Sequence, residues 1–297
     1  MKKPVFTGAA VAIVTPYLPE DGGVNYEKLG QLIDEQIARK TDAIVICGTT
    51  GESPVLDDEE HRMCIEFAVK HTAGRVPVIA GTGSNDTAYG LALTKHAEEA
   101  GVDGVLMVTP YYNKTTQKGL IEHYTYIADR TNVPIILYNV PGRTGLSFTA
   151  DSYYALSKHP NINGVKEACG DLTMVAATRK LCGDDLYIWS GEDAQTLPIL
   201  SMGGKGVIST ASNIIPEVMH DICQKFFDGD VKGAADLQIG WYDLMRDLFI
   251  ETNPIPVKTA MELLGYEVGG FRLPLTTMTE ANLAKLKASM IAHGMLK

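Results

Sequence analysis

Lys166 closes the short apolar run Ile162-Asn163-Gly164-Val165-Lys166, a place where a solvated lysine is out of keeping. An earlier run of the same kind ends in Leu137-Tyr138-Asn139-Val140-Pro141-Gly142-Arg143-Thr144 and offers a tyrosine and an arginine. A lysine in a dry, closed setting loses its proton more readily than one in water, because burial disfavours the ammonium form. The neutral amine can attack a ketone and form an imine, which opens Schiff-base catalysis. A guanidinium fork beside a glycine turn can clamp a carboxylate through two hydrogen bonds. Upstream, Gly48-Thr49-Thr50-Gly51-Glu52 can present backbone N–H groups and hydroxyls as a concave nest for another carboxylate.

Each of these residues also has a plainer reading. Spacing alone divides Lys166 evenly between catalysis and a structural ion pair with Glu167 or another carboxylate. Tyr138 fits a core tyrosine with a satisfied hydroxyl, the threonine pair fits a strand-to-helix turn, and Arg143 fits a surface cation. What separates the readings is whether the fold gathers them on one face.

The elements that must do so recur along the chain. Short, continuously apolar runs predict strands near Ala10–Thr15, Ala43–Cys47, Val76–Ala80, Gly104–Val108, Pro134–Tyr138, Asn163–Lys166, Leu186–Ser190 and Gly206–Ser209. Segments of helical period lie between them. Tyr26–Arg39 aligns Leu29, Leu32, Ile33 and Ile37 on one face. Asp57 is placed to cap a helix closing at Gly74, Thr87–Ala100 runs into Gly101, and Asp171–Leu181 runs into Gly183. Strands alternating with helices imply a parallel sheet covered by helices, closed as a (β/α)8 barrel or open and doubly wound. The open sheet with a dinucleotide calls for G-x-G-x-x-G. Gly81-Thr82-Gly83-Ser84-Asn85-Asp86 lacks the third glycine, and Gly203-Gly204-Lys205-Gly206 lacks the spacing of a P-loop. Eight units favour the α/β barrel.

In a barrel, chemistry belongs at the C-terminal strand ends. Those ends carry Thr15, the Gly48–Glu52 run, Thr109 through Asn113, Tyr138, Lys166, Ser190-Gly191-Glu192 and Ser209-Thr210, so the polar groups collect on one side. The last unit's helix, Glu217–Phe227, ends near Asp228-Gly229-Asp230. Helical patterns continue at Val231–Ile250, Pro256–Leu264 and Glu280–His293. The expected organisation is a catalytic barrel over residues 1–229 and a C-terminal helical subdomain over 230–297.

Composition bounds the rest. Apolar residues at 45% and charged residues at 21% of 297 are ordinary globular values. A net charge of −10 without a clustered basic surface argues against nucleic-acid binding. Five scattered cysteines, and an N-terminus without a secretory apolar segment, predict reduced thiols in a cytoplasmic protein. No apolar run reaches the length of a membrane span. The seven histidines lack metal-binding spacing and there is no GxSxG elbow, so the chemistry expected uses neither metal nor cofactor.

Together, Gly48-Thr49-Thr50-Gly51-Glu52, Tyr138 through Thr144 and Gly164-Val165-Lys166-Glu167 resemble the dihydrodipicolinate synthase family, from about Phe6 through the C-terminal helices. The lysine strand and the GxTGE loop are shared by the wider pyruvate-dependent class I aldolases. The paired threonines, Tyr111-Tyr112-Asn113 and Arg143 in its Pro-Gly-Arg-Thr turn are more particular. The resemblance implies a homotetramer built as a dimer of dimers, serving lysine and diaminopimelate biosynthesis. It implies an imine between Lys166 and pyruvate, whose enamine attacks L-aspartate 4-semialdehyde before transimination and ring closure. By the same resemblance Tyr138 is the acid–base tyrosine, Thr49 and Tyr112 complete a proton relay, and Tyr112 comes from the neighbouring subunit. Thr50 and the Ile208 backbone would contact pyruvate, and Arg143 would hold the semialdehyde carboxylate. The alternative within the superfamily is an aldolase of sialic acid or 2-keto-3-deoxy sugar acids, for which Arg143 has no use. A barrel that only senses a keto acid is the alternative from another class. In lysine-inhibited relatives an interface cleft binds the amino acid, and Ser53, Pro54, His61, Asn85 and Tyr111 match it. Asp58 and Tyr89 depart from it, standing where regulated enzymes carry a histidine and a glutamate.

Overall fold

The computed structural model describes residues 2–297. Eight strands, β1 Gly8–Ala12, β2 Ala43–Ile46, β3 Val78–Gly81, β4 Gly104–Val108, β5 Ile135–Asn139, β6 Ile162–Glu167, β7 Tyr187–Ser190 and β8 Gly206–Ser209, pair in sequence order. All pairings are parallel, and β8 returns to β1, so the sheet closes into a barrel. Both faces of each strand are covered, which is why the sequence reads as unbroken apolar runs.

Within those runs a period of two still decides which side chain goes where. Ala10, Val45, Ile79, Leu106, Ile136, Tyr138, Trp189 and Ile208 pack inside the barrel. Val11, Ile44, Ala80, Val105, Leu137 and Val165 pack outward against the helices. Gly164 serves the interior by having no side chain, since a Cβ there would lie 2.5 Å from the Trp189 ring. That ring stacks on Phe6 at 5.1 Å between centroids within the barrel interior.

The helices follow their sequence signals closely. Tyr26–Ala38 forms as expected. Asp57 caps Asp58–Thr72 in a reciprocal capping box with Glu60, and the chain leaves that helix through left-handed Ala73 and Gly74. Gly101 ends Thr87–Ala100 at φ 89°, and Gly183 ends Leu172–Cys182. Two boundaries differ by more than two residues. The β1 ladder stops at Ala12 rather than Thr15, and beyond it the Val14 amide leaves the sheet for Asn213 Oδ1 at 3.2 Å. The predicted Val231–Ile250 helix is two, Val231–Gly240 and Tyr242–Asp247. The break follows Gly240, a weak helix former, and Trp241 stacks on His293 at 4.2 Å. Helices Ile255–Leu263 and Glu280–Ala292 complete the C-terminal region. Leu244, Leu248, Val257, Met261, Leu286 and Met290 merge with the apolar layer around the barrel. All five cysteines are free, and among the described residues no helix is long and apolar enough to cross a membrane.

Candidate active site

The β5–β6 register sets Tyr138 directly beside Lys166. Both side chains point into the barrel, with Lys166 Nζ 4.3 Å from the centre of the Tyr138 ring. Lys166 is only 6% exposed, its stem lying against Gly191, where an added Cβ would come within 3.0 Å of Lys166 Cγ. The next residue, Glu167, points the opposite way. Its carboxylate accepts from Tyr153 Oη at 2.8 Å, Asn139 Nδ2 at 2.9 Å and the Cys169 amide at 3.0 Å. Burial pushes that carboxyl upward and these donors pull it back. The ion pair that spacing left open between Lys166 and Glu167 is therefore not formed.

The Gly48–Glu52 turn forms the next wall. Thr50 is buried, and its hydroxyl lies 3.4 Å from that of Thr210 and accepts from Asn253 Nδ2 at 2.9 Å. Glu52 sits in the left-handed region at φ 55° and turns its carboxylate inward. Lys258 Nζ meets it at 2.8 Å and also donates to Thr15 O and Gly270 O, both side chains of the pair being 0% exposed. Burial pulls the Lys258 ammonium down and Glu52 holds it up. Arg143, on a single helical turn Pro141–Thr144, donates through Nη2 to Asn253 O at 3.0 Å.

Lys166, Tyr138, Thr49, Thr50 and Arg143 thus line one cavity of about 420 Å³, closed on its far side by Met245, Phe249 and Asn253 from the C-terminal helices. A second hollow of about 360 Å³ lies beyond Thr49 and Arg143 and is lined by Ser53, Pro54, His61, Tyr89 and Tyr111. His61 Nε2 lies 2.8 Å from Gly81 O, and burial lowers its pKa. Two expected residues, Tyr112 and Asn85, stand apart. Tyr112 is 93% exposed at φ 65° on the loop after β4, away from the cavity. Asn85 lines neither hollow, its carbonyl accepting from Asn113 Nδ2 at 3.0 Å. The Ile208 side chain packs in the barrel interior, while the contact expected of this residue is through its backbone. Sequence reasoning missed Asn253 and Lys258, and it named Glu192 only as part of the Ser190-Gly191-Glu192 strand end. Lys258, alone among Ile255, Val257, Ala260 and Met261, carried the same signal as Lys166: a cation in an apolar run. Among the described residues no group of three or more His, Cys, Asp or Glu side chains is arranged to hold a metal ion.

A profile of the dihydrodipicolinate synthetase family matches residues 5–293. A 4-hydroxy-tetrahydrodipicolinate synthase of Thermoanaerobacter sp. (strain X514) is 52% identical over 295 residues, covering 99% of each chain. The crystal structure of dihydrodipicolinate synthase from Aquifex aeolicus superposes with a TM-score of 0.95 at 45% identity, over 98% of this chain and 99% of that one. The enzyme from Cyanidioschyzon merolae, solved with lysine bound, superposes with a TM-score of 0.95 at 40% identity, over 99% of this chain and 100% of that one.

Proposed function

The chain belongs to the dihydrodipicolinate synthetase family, and from that premise we propose that it condenses pyruvate with L-aspartate 4-semialdehyde through an imine on Lys166. The product is (4S)-4-hydroxy-2,3,4,5-tetrahydrodipicolinate, on the route to diaminopimelate and lysine. The observation that carries this reading is the buried Lys166 facing Tyr138 inside the barrel while Glu167 is committed elsewhere. Lys166 is the nucleophile, and the enamine formed from its pyruvate imine attacks the aldehyde. Tyr138 moves protons at that imine, with Thr49 next in the relay. Thr50 and the Ile208 backbone meet the pyruvate carboxylate, and Arg143 meets the carboxylate of the semialdehyde. A full-length relative at 52% identity named as the synthase favours this over the sugar-acid aldolase.

Tyr112 enters the relay from a second copy of the chain, which accounts for a tyrosine left almost wholly in solvent by its own barrel. The working assembly is a homotetramer, a dimer of dimers, in the cytoplasm. The test is pyruvate with borohydride, followed by peptide mapping. A reduced pyruvyl group should appear on Lys166, and Lys166→Ala should lower turnover on the order of 10³-fold or more. An adduct on another lysine would sink the assignment. Semialdehyde offered beside sugar aldehydes decides the substrate.

A further inference from the structure

Three carboxylates, Glu167, Glu192 and Asp193, follow Lys166 on β6 or the end of the paired β7, and only Glu192 lines the substrate cavity. Glu167 lies outside the barrel wall with three donors. Asp193 is buried, and its Oδ2 accepts from the Ala211 amide at 2.9 Å. Glu192, just past β7, is half-buried and lines the cavity with Lys166, Thr50 and Arg143. Among the described residues its carboxylate has no hydrogen-bond donor and no paired cation. Burial and the neighbouring Asp193 push its carboxyl upward, towards readier proton uptake. Arg246, which also lines the cavity, is tied to Asp247 at 2.8 Å.

The second substrate matches this unanswered anion. Aspartate semialdehyde brings an aldehyde for the enamine, a carboxylate for Arg143 and an ammonium that no group above accounts for. That nitrogen must also react, and only after losing a proton.

We propose that Glu192 receives the ammonium of the second substrate and takes the proton it must lose before displacing Lys166. This rests on the synthase reading above. In the condensed adduct the substrate nitrogen gives one proton to the Glu192 carboxylate, and its lone pair attacks the carbon joined to Lys166 Nζ. A bond forms from that carbon to the substrate nitrogen. The bond to Nζ then breaks, its electron pair leaving with Nζ. Of the four protons on the two nitrogens, three finish on Lys166 as ammonium and one on Glu192, which returns it to solvent as the neutral cyclic imine leaves.

The experiment compares two aldehydes on the full-length enzyme, aspartate semialdehyde and succinate semialdehyde, the latter lacking only the ammonium. Loss of a charge-assisted hydrogen bond predicts that Glu192→Gln lowers turnover of aspartate semialdehyde by about 10- to 100-fold. Pyruvate trapping by borohydride, and the rate of covalent adduct formation with pyruvate and succinate semialdehyde followed by intact mass, should stay within about twofold. Glu192→Asp should recover part of the loss. Equal losses on both aldehydes, or none on either, would overturn the proposal. If the unmodified enzyme makes no cyclic product from pyruvate and aspartate semialdehyde, the synthase reading falls and this role falls with it. The succinate arm tells that failure apart from a failure of Glu192 alone.

Discussion

On one side of the wall formed by Thr49 and Arg143, several polar groups answer to a buried partner from a distant stretch of chain. Thr50 is met by Asn253, Glu52 by Lys258 and Arg143 by the Asn253 carbonyl. On the other side, the groups at the rim of the second hollow are exposed and largely held by near neighbours. Asp58 pairs with Arg62 one helical turn away at 2.9 Å, and Tyr89 donates to the same carboxylate at 3.0 Å. Exposed pairs of that kind contribute little, with a median of about 0–1 kcal/mol, whereas a buried pair is costly to break. The first hollow is therefore built to keep one geometry, while the rim of the second can change without disturbing the fold.

The largest effect expected from this contrast is on the hidden pair. Lys258→Ala leaves the Glu52 carboxylate buried without a cation and should cost roughly 3–5 kcal/mol in urea unfolding. Replacing both, as Glu52→Gln with Lys258→Met, should cost clearly less, because no charge is then stranded. A single-variant loss below about 1 kcal/mol would mean that the turn is held by its other contacts, and the contrast would weaken.

That pair also marks where the sequence stops being legible. The strands were readable because buried parallel strands must be apolar on both faces, and Lys166 stood out because it broke such a run. The choice between catalysis and a Lys166–Glu167 pair needed strand parity in a closed barrel, which sends neighbouring side chains to opposite faces. Asn253 and Lys258 reach the Gly48–Glu52 turn from the far end of the chain, and no local pattern fixes such a meeting. The apolar period of Val231–Ile250 ran straight through the break after Gly240, where the Trp241 ring stacks on His293 from the last helix.

The shared wall gives the next effect. Arg143 is exposed but anchored on Asn253, so removing it should take away a carboxylate clamp and leave the lysine side intact. A guanidinium–carboxylate contact is worth roughly 1.5–3 kcal/mol, so Arg143→Ala should weaken use of aspartate semialdehyde by about 10- to 100-fold. Imine trapping with pyruvate should persist. Loss of trapping would show that the arginine holds the cavity together and would erase the division between its two sides.

The smallest effect is expected at the far rim, and it concerns regulation by the pathway's end product. A cleft that binds free L-lysine must answer its ammonium, and the regulated pattern does so with a glutamate where this chain has Tyr89. Asp58 is the nearest carboxylate that could substitute. Its oxygens are already engaged, one by Arg62 and one by the Tyr89 hydroxyl, and those contacts hold its pKa down. His61 cannot help, since burial favours its neutral form. One missing charge-assisted hydrogen bond weakens binding by about 10- to 100-fold, so L-lysine should inhibit weakly or not at all. Tyr89→Glu should strengthen inhibition by a similar factor, because it restores a carboxylate and frees Asp58 from the hydroxyl. The measurement is initial rate against L-lysine at fixed substrates for both proteins. Sub-millimolar inhibition of the unmodified enzyme would mean that Asp58 gives up Arg62 to the ligand, and that the exposed rim is no less committed than the buried cavity beside it.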